Sequence, residues 1–212
     1  VIIEQVQFPN RQDRTRYLSK RYSDFLKGRI LDVGCDQGVL RNLMAGIDYV
    51  GIDFQGNPDI RLNLEKSIRL PFKDRSFDCV LCIDVLEHLD NLYEMFDELI
   101  RVSNRYIIVA LPNCWCGARK PIDRGKGSFA HYGLPPEKPA DRHKWFFSLS
   151  EARTFIEARV KKGGITIGDI HATEKPRPAI VTYARRLRYP NLESYANRYV
   201  QSLWVRLDKM DL

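Results

Sequence analysis

The stretch Ile30-Leu31-Asp32-Val33-Gly34-Cys35-Asp36-Gln37-Gly38 constrains this chain more than any other. Residues 29–33 form an apolar run that reads as a buried strand. The turn that follows carries Gly34 and Gly38, which take backbone angles and close approaches that a Cβ blocks. Residues 39–45 read as a short helix whose first N–H groups lack intrahelical partners and face the turn. A second strand over 48–53 ends at Asp53, about 20 positions after Asp32, where a carboxylate on the next parallel strand reaches a ribose. The expectation is a ligand-binding strand–turn–helix unit in an α/β sheet. Gly34-Cys35-Asp36-Gln37-Gly38-Val39 does not fit the G-x-G-x-x-G of dinucleotide-binding folds.

The rest of the chain extends that unit as a single domain over residues 1–212. Residues 12–27 read as a leading helix, with Tyr17, Leu18, Tyr22, Phe25 and Leu26 near a 3.6 period. Short strands follow over 59–63 and 78–83. An amphipathic helix spans 91–102, with Leu92, Met95, Phe96, Leu99 and Ile100 on one face. A strand over 105–111 is stopped by Pro112. Residues 111–148 are rich in Pro, Gly and charge and read as a lid that receives the acceptor. Ser150 starts the next helix. Residues 164–172 and 179–184 read as two final strands joined by a turn at 175–178. Residues 190–208 read as a C-terminal helix on the stripe Leu192, Tyr195, Ala196, Tyr199, Val200, Leu203, Trp204 and Leu207.

Composition narrows the partners. No run of about 18 apolar residues exists, so no membrane span is expected. The net charge of +7 permits RNA, a phosphorylated sugar carrier or a membrane surface as an acidic partner. Its densest cluster is Arg185, Arg186 and Arg188. Of five cysteines, Cys79 and Cys82 share an apolar run but point to opposite faces of a strand. There is no second Cys-x-x-Cys pair, so thiols in a reducing cytoplasm are expected rather than structural zinc. The start at Val1 leaves open a trimmed chain or one domain of a longer one.

Leu31-Asp32-Val33-Gly34-Cys35-Asp36-Gln37-Gly38, then Gly51-Ile52-Asp53, Leu70-Pro71-Phe72 and Ser76-Phe77-Asp78, cover residues 28–112 in an order that resembles class I S-adenosylmethionine (SAM) methyltransferases of the type 11 kind. The resemblance implies a Rossmann-like, doubly wound α/β fold. Its sheet would be mostly parallel and seven-stranded, with helices on both faces and an antiparallel last strand. It implies SAM as cofactor, S-adenosylhomocysteine as product, and a SAM site of Asp32, Gly34, Cys35, Asp36, Gly38, Asp53, Phe54, Asn63, Leu64, Ile83 and Asp84. In it Asp53 would accept both ribose hydroxyls, Phe54 would flank the adenine, and Asn63 and Leu64 would meet the adenine edge. Two positions depart from the family. Asp36 stands where a glycine is usual, although Asp tolerates left-handed angles. Asn63 stands where an acidic residue is usual.

Methyl transfer to oxygen gains from a base that removes the acceptor's proton. Asp84, His131, Asp141 and His143 are the candidate catalytic groups. The alternative is a divalent metal that lowers the hydroxyl pKa. Asp84-x-x-Glu87-His88 resembles the Glu-x-x-Glu-His that holds a metal in small-RNA 3′-terminal 2′-O-methyltransferases, and His131 or His143 could complete the set. Without a metal, the resemblance implies that the Glu87-His88 pair helps to hold the strand–helix junction. A sugar hydroxyl is the expected acceptor, given the polar and aromatic lid. RNA ribose, a small metabolite, or a SAM-binding module without transfer activity are the alternatives.

Overall fold

The computed structural model describes residues 1–44, 46–129, 131–139 and 141–210. Its frame is one eight-stranded sheet. The strands are β1 (Ile2–Gln5), β2 (Arg29–Val33), β3 (Asp48–Asp53), β4 (Ile60–Arg61), β5 (Phe77–Ile83), β6 (Ser103–Pro112), β7 (Ile165–Glu174) and β8 (Ser202–Lys209). Their order is β1-β7-β8-β6-β5-β2-β3-β4. Every pairing is parallel except those of β8, which runs antiparallel to both β6 and β7. This is the expected doubly wound α/β fold with an antiparallel last strand. The eighth strand is β1, added parallel to the outer edge of β7.

The helices are α1 (Arg11–Arg21), α2 (Val39–Leu43), α3 (Leu92–Val102), α4 (Cys114–Asp123), α5 (Leu149–Lys161), α6 (Ala179–Arg188) and α7 (Leu192–Tyr199). Alternation along the strands divides the core between the sheet's two faces. Leu31, Val33, Val80, Cys82, Ile107 and Val109 pack with α3 and α5. Ile30, Cys79, Leu81, Ile108 and Trp204 pack with Leu18 of α1 and with Tyr22 and Leu26. Cys79 and Cys82 therefore lie on opposite faces, as their spacing requires.

Several boundaries move. The leading helix ends at Arg21, so Phe25 and Leu26 pack from turns that follow it. The first crossover helix ends at Leu43, and Ala45 lies outside the described residues. Strand 59–63 shrinks to the two residues of β4. The segment 111–148 is not all loop, because α4 occupies its first part. Helix α5 is capped by Ser148 rather than opened by Ser150. The Ser148 hydroxyl accepts from the Glu151 N–H, and the Glu151 carboxylate accepts from the Ser148 N–H.

Two expectations near the C-terminus are overturned. Residues 179–184 are not a strand but the start of α6. Both edges of β7 are already taken, by β1 and β8, so no ladder remains for another strand to join. Residues 190–208 are not one helix but α7 followed by β8. Leu203, Val205 and Leu207 alternate with Trp204 and Arg206 at period two, which suits a strand bonded on both sides. A buried side chain sets the switch. The Asn113 amide donates to the carbonyls of Ala196, Asn197 and Val200 at 3.2, 2.9 and 2.8 Å, closing α7. Its oxygen accepts from the Cys116 N–H and caps α4.

Asn113 thus joins the lid's first helix to the turn that feeds β8. Asn113→Ala removes a cap and leaves buried carbonyls unpaired, so a loss of about 2–4 kcal/mol in urea-unfolding stability is expected. A loss within the error of the titration would show that the switch is held elsewhere.

Candidate active site

A cleft of about 1180 Å³ opens at the C-terminal ends of β2, β3 and β5. That end is where open α/β sheets receive ligands. Gly34 leaves β2 at φ 79°, and its N–H donates to the Ile52 carbonyl at 2.8 Å. A Cβ there would meet the Val85 side chain at 2.3 Å, so the turn can close only on glycine. Asp36 follows at φ 47°, a left-handed angle held by a residue where the resembling family has glycine. The Asp36 N–H donates to Asp53 Oδ2 at 2.9 Å, and the Gln55 N–H to Asp53 Oδ1 at 3.0 Å. Asp53 is thereby fixed with one lone pair free on each oxygen.

Asp32, Gly34, Cys35, Asp36, Asp53, Phe54, Asn63, Leu64, Ile83 and Asp84 all line this cleft. Gly38 does not. It stands behind the turn as the left-handed N-cap of α2. Burial pushes the Asp32 carboxyl up to about 6, although the Tyr49 hydroxyl donates to it at 2.7 Å. Burial likewise pushes the Cys35 thiol up to about 12, which leaves it an unreactive wall.

Helix α1 closes the cleft from above. Arg14 pairs with Asp84, and Arg11 pairs with Asp36 at 3.0 Å. The sequence held no signal for either arginine, because each acts across the fold. Asp84 itself sits at φ 52°, with its N–H on the Ala110 carbonyl and its Oδ1 buried without a partner. Burial raises its carboxyl and Arg14 opposes the shift. Among the described residues four non-glycine side chains have positive φ, and Asp36, Asp84 and His131 of these line the cleft. Backbone strain of this kind gathers where a fold positions functional groups.

Beside Asp84 the Leu86–His88 3₁₀ turn meets the lid. The Lys144 and Trp145 N–H groups both donate to the Glu87 carbonyl. Lys144 also pairs with Glu65 and, at 2.6 Å, with Asp90. The Trp145 indole donates to the Leu89 carbonyl at 2.7 Å, so this tryptophan anchors the lid and is not a stacking surface in the cleft. Trp115 and Phe146 line a separate cavity of about 420 Å³.

The lid brings His131, Asp141 and His143 onto His88 and Glu87. His88 Nδ1 lies 2.6 Å from Asp141 Oδ1 and donates to it. The Tyr132 hydroxyl contacts His143 Nδ1 at 2.8 Å and the Trp145 carbonyl at 3.2 Å. Both contacts are satisfied together only when Nδ1 of His143 carries the proton. The Nε2 of His143 then faces Glu87 Oε1 with its lone pair at 4.0 Å, and the Nε2 of His88 lies 3.7 Å from the same oxygen. The His131 ring stacks on His143 at 4.5 Å. Glu87 is 1% exposed, and its Oε2 has no partner. Burial, then the Asp84 charge, raises its carboxyl well above the usual range. Burial, then His88 and His131, pushes His143 down to about 4. Potential ligand atoms of Glu87, His88 and His143 lie within 4.8 Å of one another. The sequence grouped Asp84 with Glu87 and His88. In the fold Arg14 draws Asp84 aside, and His143 takes its place.

Residues 4–159 match the model of a family described as a methyltransferase domain. Over 85 residues the chain is 38% identical to an uncharacterized protein of Methanocaldococcus jannaschii, covering 37% of this chain and 36% of that protein. Over 98 residues it is 33% identical to a ubiquinone biosynthesis O-methyltransferase of Rickettsia bellii, covering 40% and 41%. The chain thus matches well under half the length of these relatives. Among solved structures it resembles the small RNA methyltransferase HEN1 (TM-score 0.61, 16% identity, 99% of this chain and 27% of that one). It also resembles the magnesium protoporphyrin IX methyltransferase of Synechocystis with bound S-adenosylhomocysteine (TM-score 0.57, 19% identity, 98% and 90%). A SAM-dependent methyltransferase of Archaeoglobus fulgidus has the same fold (TM-score 0.57, 16% identity, 95% and 96%).

Asp32 makes stability depend on pH. Its folded-state value of about 6 lies above the ordinary 3.8, so the folded chain holds this proton more tightly than the unfolded one. That contribution is present below pH ~4 and is lost as pH rises through about 6. Asp32→Asn is therefore expected to be more stable than the parent above pH 6, by up to ~3 kcal/mol. The two should converge below pH 4 when thermal unfolding is followed across that range. Equal stability at pH 7 would show that the carboxylate is solvated.

Proposed function

Since the chain belongs to this family of methyltransferase domains, we propose that it transfers the methyl group of SAM to a hydroxyl oxygen of a sugar. One observation carries the oxygen assignment. His143 presents a lone-pair Nε2 to buried Glu87, with the His88 ring beside it, in the same cleft as Asp32, Asp53 and Asp84. Such a group suits taking a proton from a hydroxyl.

SAM, when bound, supplies a methyl group activated on a cationic sulfur. Asp53, oriented by two backbone N–H groups, would accept the ribose hydroxyls. Phe54, exposed in the cleft, would flank the adenine, with Asn63 and Leu64 at its edge. Gly34, Cys35 and Asp36 offer backbone to the remainder, with Asp32 behind them, while Gly38 fixes the helix that supports the turn. Ile83 and Asp84 border the reacting end, where alignment of two reactants contributes ~7–11 kcal/mol. His143 Nε2 would accept the hydroxyl proton. His131 stacks on its ring, and Tyr132 fixes its tautomer. Asp141 holds His88 in the matching orientation. The polar rim of Lys138, Asp141, Arg142 and Lys144 supports a polyhydroxylated acceptor. Five free cysteines, four of them buried, fit a reducing cytoplasm.

A second reading is ribose 2′-O-methylation of RNA. It is favoured by the gathering of Glu87, His88 and His143 into a set that fits a divalent cation. Two imidazole Nε2 atoms and an unpartnered buried carboxylate oxygen are suitable donors. Such an ion would polarise the hydroxyl oxygen as a Lewis acid.

The test is S-adenosylhomocysteine release with oligosaccharide and short RNA acceptors, each with and without chelator. Turnover on sugars is expected, and turnover on RNA alone would replace the first reading by the second. His143→Ala is expected to lower kcat by roughly 10²–10⁴-fold while SAM affinity stays near the parent value. SAM binding without release on any acceptor would favour a binding module.

A further inference from the structure

Helix α6 is inside out for a surface helix. None of its residues is buried. Its half-buried side, Thr182, Arg185 and Arg186, faces the protein. Arg185 pairs with buried Glu174 at 3.0 Å, and Arg186 lies over the Tyr195 ring at 3.8 Å. The opposite stripe carries Ile180, Tyr183 and Leu187, which are 71%, 62% and 65% exposed. These positions share one helical face. An ordinary amphipathic helix buries such a stripe. Leu192 of α7 and, at the smaller cavity, Trp115 and Ile122 of α4 also stand exposed.

Cations surround this surface. Lys120 and Arg124 lie at the end of α4, Lys175 and Arg177 just before α6, and Arg188 at its end. None of the five has an ion-pair partner among the described residues. Arg124, Lys175 and Arg177 stand close enough to act on Lys120. Arg177, then desolvation, then Arg124, Arg119 and Lys175 depress the Lys120 ammonium. This patch was not legible in sequence. Of the dense run Arg185, Arg186 and Arg188, two turn inward, and the outer cations come from separate segments.

We propose that the α4–α6 face docks on an anionic bilayer surface, with Ile122, Ile180, Tyr183 and Leu187 entering the headgroup boundary and the surrounding lysines and arginines meeting lipid phosphates. Charge complementarity selects this occupant. An aliphatic stripe bordered by cations matches the interfacial mode of membrane binding. Nucleic acid would use the cations but leaves Ile122, Ile180 and Leu187 without a role. No helix among the described residues is long and apolar enough to cross a membrane.

The experiment is co-sedimentation of the purified protein with phosphatidylcholine vesicles, with and without one-third phosphatidylglycerol. Preferential binding to the anionic vesicles is expected. I180D/L187D should abolish it, and K120A/R124A should weaken it about fivefold per charge removed. The α4 pair reports independently should the α6 variant misfold, and circular dichroism checks both. Sedimentation that ignores lipid charge, or that survives I180D/L187D, overturns the proposal. So does absence of vesicle binding, whether the same variants abolish anisotropy-detected binding to single-stranded RNA or dissolve a dimer seen by sedimentation velocity.

Discussion

The Asp53 carboxylate holding the Asp36 N–H is the contact on which the β2–β3 half of the cleft depends. Three residues of the turn, Gly34, Asp36 and Gly38, stand at positive φ, and for Asp36 that angle is costly. The bond to Asp53 offsets the cost and ties the turn after β2 to the end of β3. Parallel pairing of those strands puts Val33 opposite Ile52, which brings the carboxylate within reach. Gly56 completes the arrangement. A Cβ there would lie 2.1 Å from the Asp36 carbonyl oxygen, so the β3 loop can close only over a glycine.

The lid half of the cleft rests on a different balance. Glu87 is buried with an unpartnered oxygen, a state that costs free energy in any fold. What holds it there is backbone, since its carbonyl receives two N–H groups from the lid. The same two bonds bring His143 beside it. The lid therefore assembles the cluster and carries part of it. Trp145 secures this from the core side, through its indole hydrogen bond and its contact with Tyr93.

The two halves share α1. Arg14 reaches Asp84 at the junction between them, and Arg11 reaches Asp36. A helix that the sequence presents mainly as aromatic packing thus supplies two charges to the cleft. Its aromatic residue Tyr17 is bonded to Glu4 and His171, and Tyr22, which caps its end, is buried against the sheet.

The sequence by itself determined the parts whose physics is local. Residues 29–43 could only be strand, turn and helix, because the apolar run and the two glycines leave the backbone few other states. Asp53 followed from spacing along parallel strands, and the opposite faces of Cys79 and Cys82 from the two-residue period. Tertiary structure decided what depends on vacancies and distant partners. Residues 179–184 have the composition of a strand but no free sheet edge to join, so they are helical. Residues 202–209 continue a helical stripe in sequence, yet the gap between β6 and β7 and the Asn113 amide turn them into β8. His143 could be named from its residue type. Its place against Glu87 and His88, in preference to Asp84, came from a lid contact and an arginine on α1 that no local pattern encodes.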